Sequence, residues 1–373
     1  TPIKSSAASD VYKRQDESLD IIVEVMGGIT PAKEYIFSAL EHGLSVVSAN
    51  KDLVALYGPD IIHKAIENHV NFSCEASVGG GIPILMPLHQ SLAANQIESI
   101  VGILNGTTNY ILSQMTETGV NYANALADAQ KQGFAEADPT NDVCGFDAAR
   151  KLAILSSIGF RANVTFDDVL VEGIEKIDKS DIQYAKDMGY TIKLLTVALR
   201  QENGIALNVY PAFLPDNHPL SSVKGAYNAI YVTGNIVDDV MFYGRGAGAL
   251  PTASAVMGDV ISTAQHILNG STGTGMIMTD TKRIPFYSSL KLQNSYYFRL
   301  DVDDVTGVLS QIAAAFAEND ISICEVVQKR KTKGLAELVL ITELASRESI
   351  LQVEKGLQVL PCMRKVANVI RVM

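Results

Sequence analysis

Residues 133–152 place four carboxylates, Glu136, Asp138, Asp142 and Asp147, and one lysine, Lys151, at the mouth of an otherwise apolar helix. Pro139 ends regular structure, Thr140 or Asn141 can cap the next helix, and from Val143 to Gly159 the only charged side chains are Asp147, Arg150 and Lys151. Asp147 and Lys151 stand four apart and so share one helix face, in a row with Val143 and Leu155 that is apolar before and after them. Two uses are open to such a pair. It can be an ordinary i, i+4 ion pair worth a few tenths of a kcal/mol, or it can line a cleft and act on what binds there. Desolvating a lysine that has neither function nor a strong partner costs several kcal/mol. The surrounding Ala148-Ala149-Arg150-Lys151-Leu152-Ala153-Ile154-Leu155 offers little polar company, which favours the cleft.

The elements that must position this helix follow an α/β pattern. Residues 1–15 are polar and aperiodic and read as non-native or disordered. Leu19 to Gly28 then begins abruptly as a core strand running into a glycine turn. Pro31 to His42 reads as an amphipathic helix closed by Gly43, and Leu44 to Ser48 as a second strand. Asn50-Lys51-Asp52 sits at the carboxyl end of that strand, the edge at which doubly wound sheets bind ligands. Residues 16–70 therefore read as the remnant of a nucleotide-binding domain whose first βαβ unit, on the order of 30 residues or more, is absent.

Asn71 to Ile84 reads as a strand ending in Gly79-Gly80-Gly81, and Ile100 to Ile111 as a strand, a polar turn and a helix start. Glu75, on the apolar strand, can hold a cation together with free carbonyls of the glycine turn, or simply accept backbone N–H groups. Gly244-Arg245-Gly246-Ala247-Gly248-Ala249 comes after a strand-like run, Val240 to Tyr243, and precedes a helix opened by Pro251. It is either a loop that lets backbone approach a ligand or a plain tight turn.

Leu290 to Asn294 reads as a linker into a separate unit. There the strands Tyr296–Val302, Ile321–Gln328, Leu335–Glu343 and Val366–Arg371 alternate with helices over Gly307–Glu318 and Arg347–Leu357, and Lys329-Arg330-Lys331 forms a basic solvated turn. The order βαββαβ is ferredoxin-like, the size of a regulatory or dimerising module or of a packing appendage.

At 373 residues, 47% hydrophobic and 19% charged, the chain has the composition of a soluble globular protein of two or three domains. A net charge of -11, with no basic cluster longer than residues 329–331, argues against a nucleic-acid partner. No apolar run approaches the ~20 residues of a membrane span and no signal-peptide pattern opens the chain, so no membrane association and a cytoplasmic location are expected. Cys74, Cys144, Cys324 and Cys362 lie far apart, as expected of reduced, mostly buried thiols.

Taken together these residues resemble the homoserine dehydrogenases, which interconvert aspartate 4-semialdehyde and homoserine with a nicotinamide cofactor. The likeness spans residues 16–270 and rests on Ser48-Ala49-Asn50-Lys51, Glu75 to Ile84, Leu104 to Tyr110, Glu136 to Thr140, Asp147 to Leu155 and Gly246 to Val256. Asp301 to Leu309 resembles part of an ACT domain, an amino-acid-sensing module, with Thr306 where such domains commonly have proline. The implied fold class is α/β: a partial Rossmann-like nucleotide-binding domain over 16–70, an α+β catalytic and dimerisation domain over 71–280, and a C-terminal ferredoxin-like ACT domain over 296–373. A helix near 251–268 is expected to return to the nucleotide-binding domain.

The resemblance implies Lys151 as the acid/base on the substrate oxygen, with Asp147 orienting it and helping to bind substrate. Glu136 and Asp142 would receive the substrate amino group, with Thr107 and Gly106 at the substrate end. Ser48, Lys51 and Gly246 would contact the cofactor, NADP or NAD, and Glu75 with the carbonyls of Val78, Gly80 and Ile82 would surround a sodium ion. Reducing an aldehyde needs a proton as hydride arrives, and a protonated lysine both polarises the carbonyl and delivers it. The resemblance further implies a place in threonine, methionine and isoleucine biosynthesis, an amino-acid effector (threonine foremost), and a homodimer or homotetramer. Since the family's dinucleotide fingerprint precedes residue 16, the chain as given is expected to bind cofactor poorly or not at all and to lack activity for that reason. The competing reading is a truncated, non-catalytic amino-acid-sensing and oligomerisation protein, against which the intact Glu136, Asp142, Asp147 and Lys151 speak.

Overall fold

The computed structural model describes residues 19–273, 284–332 and 334–373, so the expectations for residues 1–15 and for the stretch closing the catalytic domain at 274–280 fall outside it. Three short parallel strands, β1 (Ile21–Glu24), β2 (Ser45–Ser48) and β3 (Phe72–Ser73), form a sheet in that order. Helices α1 (Ala32–Glu41) and α2 (Lys51–Glu67) connect them, and Ile36, Leu40, Leu53 and Ile61 join Val46 in one core. Asn50 fixes the start of α2, its Oδ1 accepting from Leu53 N at 3.1 Å while its Nδ2 donates to Gly28 O at 2.6 Å. The first strand differs from the expected core strand: β1 lies at the sheet edge, and Val23 is 44% exposed.

From β4 (Ile97–Ile103) the chain passes through α3 (Gly106–Thr118), α4 (Tyr122–Lys131), α5 (Thr140–Val143), α6 (Phe146–Phe160), β5 (Leu170–Val171) and α7 (Lys179–Asp187). The long strands β6 (Tyr190–Gln201) and β7 (Gly204–Pro215) come next, then β8 (Tyr227–Gly234) and β9 (Asp238–Arg245). They build an antiparallel sheet in the order β9-β8-β4-β6-β7, against which α3, α6 and α7 pack. Helix α8 (Ala249–Leu268) then turns back onto the first sheet, where Val256 meets Val47 and Ala76.

One expected element is divided in two. The helix read as continuous from Val143 to Gly159 breaks at Gly145, whose φ is 85°. The cause lies far off in sequence: Ile174 N donates to Val143 O at 2.9 Å, occupying the carbonyl that a continuous helix would offer to Asp147. A Cβ on Gly145 would stand 3.0 Å and 3.1 Å from methyls of Val171 and Val209. Val143 therefore leaves the row it was expected to share with Asp147.

The last unit comprises β10 (Gln293–Asp303), α9 (Val308–Ala317), β11 (Ile323–Thr332), β12 (Leu335–Thr342), β13 (Ala345–Ser346), α10 (Arg347–Gln358) and β14 (Met363–Val372). Its strand order β11-β12-β10-β14 is the expected ferredoxin-like one. Alternation along β10 serves two cores: Tyr296, Phe298, Leu300 and Val302 pack with α9 and α10, while Tyr297 stacks on Phe213 of β7 with ring centres 4.5 Å apart. β14 pairs in parallel with β7 at Arg371↔Ala212 and Val372↔Phe213, so the two sheets are continuous. Gln293 and Asn294, read as linker, belong to β10, and Lys329, read as part of a turn, lies on β11 with Nζ 3.5 Å from Asp187. The four thiols are free; Cys74 and Cys362 are buried, Cys144 is partly so and Cys324 is exposed.

Candidate active site

The break at Gly145 puts Asp147 in the first turn of α6, where the helix dipole favours a carboxylate, and aims Lys151 back along the same face. Lys151 Nζ donates to Asp147 Oδ2 at 2.7 Å and to Leu104 O at 2.9 Å. An ammonium has three protons, so one is left for a ligand among the described residues. Lys51, at the head of α2, approaches Asp147 from the nucleotide-binding side with Nζ 3.4 Å from Oδ1. Beside it, Asp52 Oδ1 lies 3.4 Å from Arg150 Nε, so two ion pairs join α2 to α6.

Asn105, legible in the sequence only as part of a polar turn, ties the carboxylates together. Its Nδ2 donates to Asp142 Oδ1 at 2.7 Å and to Asp147 Oδ2 at 2.9 Å, while its Oδ1 accepts from Thr108 N at 2.8 Å and caps α3. Burial disfavours ionisation of Asp147, but the charges of Lys151 and Lys51 and the hydrogen bonds from Lys151 and Asn105 outweigh it and hold the carboxyl down at about 2. Burial, reinforced by the charge of Asp147, pushes Asp142 up from its ordinary value. Two carboxylates on one amide thus have their affinities for protons pushed apart by their surroundings.

This arrangement predicts an acid-sensitive core. Because Asp147 titrates at about 2 in the fold against an ordinary 3.8, its ionisation stabilises the fold fully above the ordinary value, and the contribution is lost as pH falls through about 2. The loss is on the order of 2 kcal/mol. Urea unfolding at a series of acidic pH values should show that slope in the parent chain and lack it in Asp147→Asn; equal slopes would mean that Asp147 is not held ionised.

The remaining candidates divide. A cleft of about 400 Å³ brings together Gly28, Lys51, Asp52, Glu136, Asp142, Asp147 and Arg150. Lys151, its side chain 11% exposed, is not part of this lining and joins it through Asp147. Thr107 Oγ1 donates to Phe134 O at 2.6 Å, so its hydroxyl proton pins the loop ahead of Glu136, and Gly106 opens α3 beside it. Ser48 is fully buried rather than facing the cleft, since its hydroxyl donates to Glu24 Oε2 at 2.7 Å and accepts from Asn50 N at 3.1 Å. Gly246 is buried against β8.

Glu75 stands in a single helical turn, Glu75–Ser77, and not on a strand. Its carboxylate accepts from the N–H groups of Leu85 and Met86 at 2.8 Å each, and from that of Ile84, capping the helix just after Pro83. Of the two uses open to it, the structure shows the backbone one. Val78, Gly80 and Ile82 stand in the adjacent turn, and among the described residues no three His, Cys, Asp or Glu side chains gather as a metal site. No helix of the described residues is long and apolar enough to cross a membrane.

Comparison with known proteins agrees along the chain. A family model described as homoserine dehydrogenase matches residues 83–261, one described as homoserine dehydrogenase, NAD binding domain, matches 4–75, and an ACT domain model matches 296–362. The homoserine dehydrogenase of Bacillus subtilis is 40% identical over 373 residues, covering 99% of this chain and 86% of its own length. That of Mycobacterium tuberculosis H37Rv is 44% identical over 365 residues, covering 95% and 82%. The crystal structure of a homoserine dehydrogenase from Thiobacillus denitrificans aligns with a TM-score of 0.91 at 37% identity over 96% of this chain and 83% of that one. A hyperthermophilic archaeal homoserine dehydrogenase in complex with NADPH aligns with a TM-score of 0.57 at 29% identity, over 66% and 71%. A chain with nucleotide-binding, catalytic and ACT units in this order, and with relatives of this identity over nearly its whole length, belongs to the homoserine dehydrogenases, NAD(P)-dependent oxidoreductases.

Proposed function

We propose that this chain interconverts L-aspartate 4-semialdehyde and L-homoserine, with Lys151 moving the proton at the substrate oxygen. The observation that carries the proposal is the part-buried Asp147–Lys151 pair, whose Asp147 lines a cleft that also receives Lys51 from the nucleotide-binding side and Glu136 with Asp142 from the other. NADP or NAD supplies the hydride when bound. Lys151, charged and held by Asp147 and Leu104 O, directs its third proton at the carbonyl oxygen, stabilises the alkoxide and protonates it. In the reverse direction it takes that proton back.

Glu136 and Asp142 face the substrate ammonium, a pairing that suits an α-amino acid and excludes simple aldehydes. Asn105 keeps Asp142 and Asp147 in register, and the Gly106–Thr107 turn closes the substrate end. Lys51 reaches Asp147 and the cleft together, and so belongs to both the cofactor side and the substrate side. Ser48 acts from beneath, through Glu24, and Gly246 offers backbone to the cofactor. A sodium ion at the triple glycine would rest on carbonyl oxygens of Val78, Gly80 and Ile82, because the Glu75 carboxylate is engaged with backbone N–H groups. The ACT unit would sense an amino acid, threonine foremost, in a cytoplasmic homo-oligomer of the threonine, methionine and isoleucine pathways.

The test is consumption of NADPH or NADH by the purified chain with aspartate semialdehyde, against acetaldehyde and succinate semialdehyde. With the cofactor in large excess, turnover with the amino-acid aldehyde alone is expected. Equal use of all three would exclude Glu136 and Asp142 from ammonium recognition, and no turnover with any would favour the non-catalytic reading.

A further inference from the structure

Asn228, at the second position of β8, is 1% exposed, and neither its Nδ2 nor its Oδ1 has a hydrogen-bond partner among the described residues. Buried amides are nearly always paired, and one that is not calls for an explanation. Glycines of two separate motifs border it, and a glycine of a third packs on the first of them. A Cβ on Gly246 would collide with the Asn228 amide itself, and one on Gly80 would stand 2.5 Å from Gly246 O. One on Gly106 would stand 2.9 Å from Ala226 O and 3.6 Å from Asn228 Oδ1. The turn that opens α3 and the loop after β9 therefore meet at this amide with no side chain to separate them, and the triple-glycine turn packs behind Gly246.

The strand beneath is held firmly. Asn109 Nδ2 donates to Tyr227 O at 3.0 Å and to Val223 O at 3.2 Å, and Asn109 Oδ1 accepts from the buried Lys193 Nζ at 3.0 Å. The Tyr227 ring stacks on Tyr243 with centres 5.2 Å apart, and the Arg245 guanidinium lies 5.0 Å over it. Arg245 O accepts from Gly81 N at 3.0 Å. Past Gly246 the loop turns outward: Ala247 and Gly248 are exposed, and Gly248 precedes α8 at a φ of 123° with no side-chain cap.

We infer that Asn228 is a positioning residue for hydride transfer. When the nicotinamide cofactor seats against the loop, Asn228 Nδ2 donates to a carbonyl of the loop at Gly246, Asn228 Oδ1 accepts from an N–H of the Gly106 turn, and the amide so fixes the separation between the two. The two unpaired atoms face different turns: Nδ2 is the Asn228 atom nearest Gly246 and Oδ1 the one nearest Gly106, so the donor serves the loop and the acceptor serves the turn. The inference rests on reading Gly246 as cofactor-side and Gly106 as substrate-side.

The test uses Asn228→Leu, close to asparagine in shape but apolar, and Asn228→Ala, which removes the amide without adding bulk. With no cofactor, Asn228→Leu should melt no lower than the parent chain, because no buried polar atom is left unmet. NADPH, titrated by its fluorescence, should bind both variants about tenfold or more weakly, as expected for the loss of one or two hydrogen bonds. KM for NADPH should rise more than kcat falls. If Asn228→Leu does not fold, the Asn228→Ala titration decides. Unchanged NADPH affinity in a folded variant, while the parent chain binds and turns over, would overturn this inference alone. A parent chain that does not bind NADPH would overturn it together with the reading of Gly246.

Discussion

Lys151→Met should lower kcat by about 10³-fold while leaving NADPH affinity within about twofold of the parent chain. Methionine keeps the length and packing of the lysine stem, so what is removed is the charge and its protons. General acid catalysis by one positioned group is worth roughly 10²–10⁴-fold. In the proposed reaction the same ammonium would also face the developing alkoxide in a low-dielectric setting, where such contacts weigh more than in water. Lys151 is bonded to Asp147 and Leu104 O, both outside the nucleotide-binding unit, which is why binding should survive. Arginine should not restore the rate: its guanidinium does not release a proton near neutral pH, and its planar fork does not fit between Asp147 and Leu104 O. Steady-state kinetics in both directions with a parallel NADPH titration separate the two effects. Turnover within tenfold of the parent would remove Lys151 from proton transfer.

The second large effect concerns the seam between the ACT and catalytic units. Arg299 of β10 donates through Nε to Asp181 Oδ1 at 2.7 Å and through Nη2 to Oδ2 at 3.2 Å, and its Nη1 lies 3.5 Å from Glu337 Oε2. Asp181 has no exposed surface, and it also accepts from Asn368 Nδ2 at 2.8 Å, Tyr297 Oη at 3.1 Å and Asp178 N at 2.9 Å. Arg299→Leu leaves two buried carboxylates, Asp181 and Glu337, without their guanidinium. Removing one partner of a buried ion pair costs roughly 3–5 kcal/mol, much more than an exposed pair would. Adding Asp181→Asn should recover part of the loss, since an amide oxygen still accepts the capping N–H of Asp178 without the charge. Urea unfolding of the two variants measures both terms, and a loss below about 1 kcal/mol for Arg299→Leu would mean that water reaches the cluster.

How much of this was legible depended on whether the cause was local. Asp147 and Lys151 could be picked out because charge on an apolar helix face is a pattern within a few residues. The βαββαβ order could be read because β10 and its neighbours alternate by twos along their own length. The break at Gly145 could not, since its causes are the Ile174 N–H and the side chains of Val171 and Val209, which only the folded sheet brings there. Asn105 left a usable signal, an asparagine between a strand and Gly106-Thr107-Thr108, and that signal announces a helix cap. Its second role, holding Asp142 and Asp147 from positions 37 and 42 residues away, is set by tertiary structure alone. Ser48 illustrates the converse: a strand-end serine suits a nucleotide site by position, but Glu24, on the neighbouring strand, takes its hydroxyl. The docking of the ACT unit was equally hidden, because Arg299 meets Asp181 across 118 residues.

Chemical rescue puts the central assignment to the most direct test. In Lys151→Ala, small primary amines added to the assay can enter the space left by the side chain and act between Asp147 and the substrate oxygen. The account predicts a rate that rises with amine concentration, depends on the amine's own pKa, and does not respond to tetramethylammonium, which carries charge but no proton. A variant that turns over near the parent rate without any amine, or that tetramethylammonium restores as well as methylamine, would contradict Lys151 as the group that moves the proton.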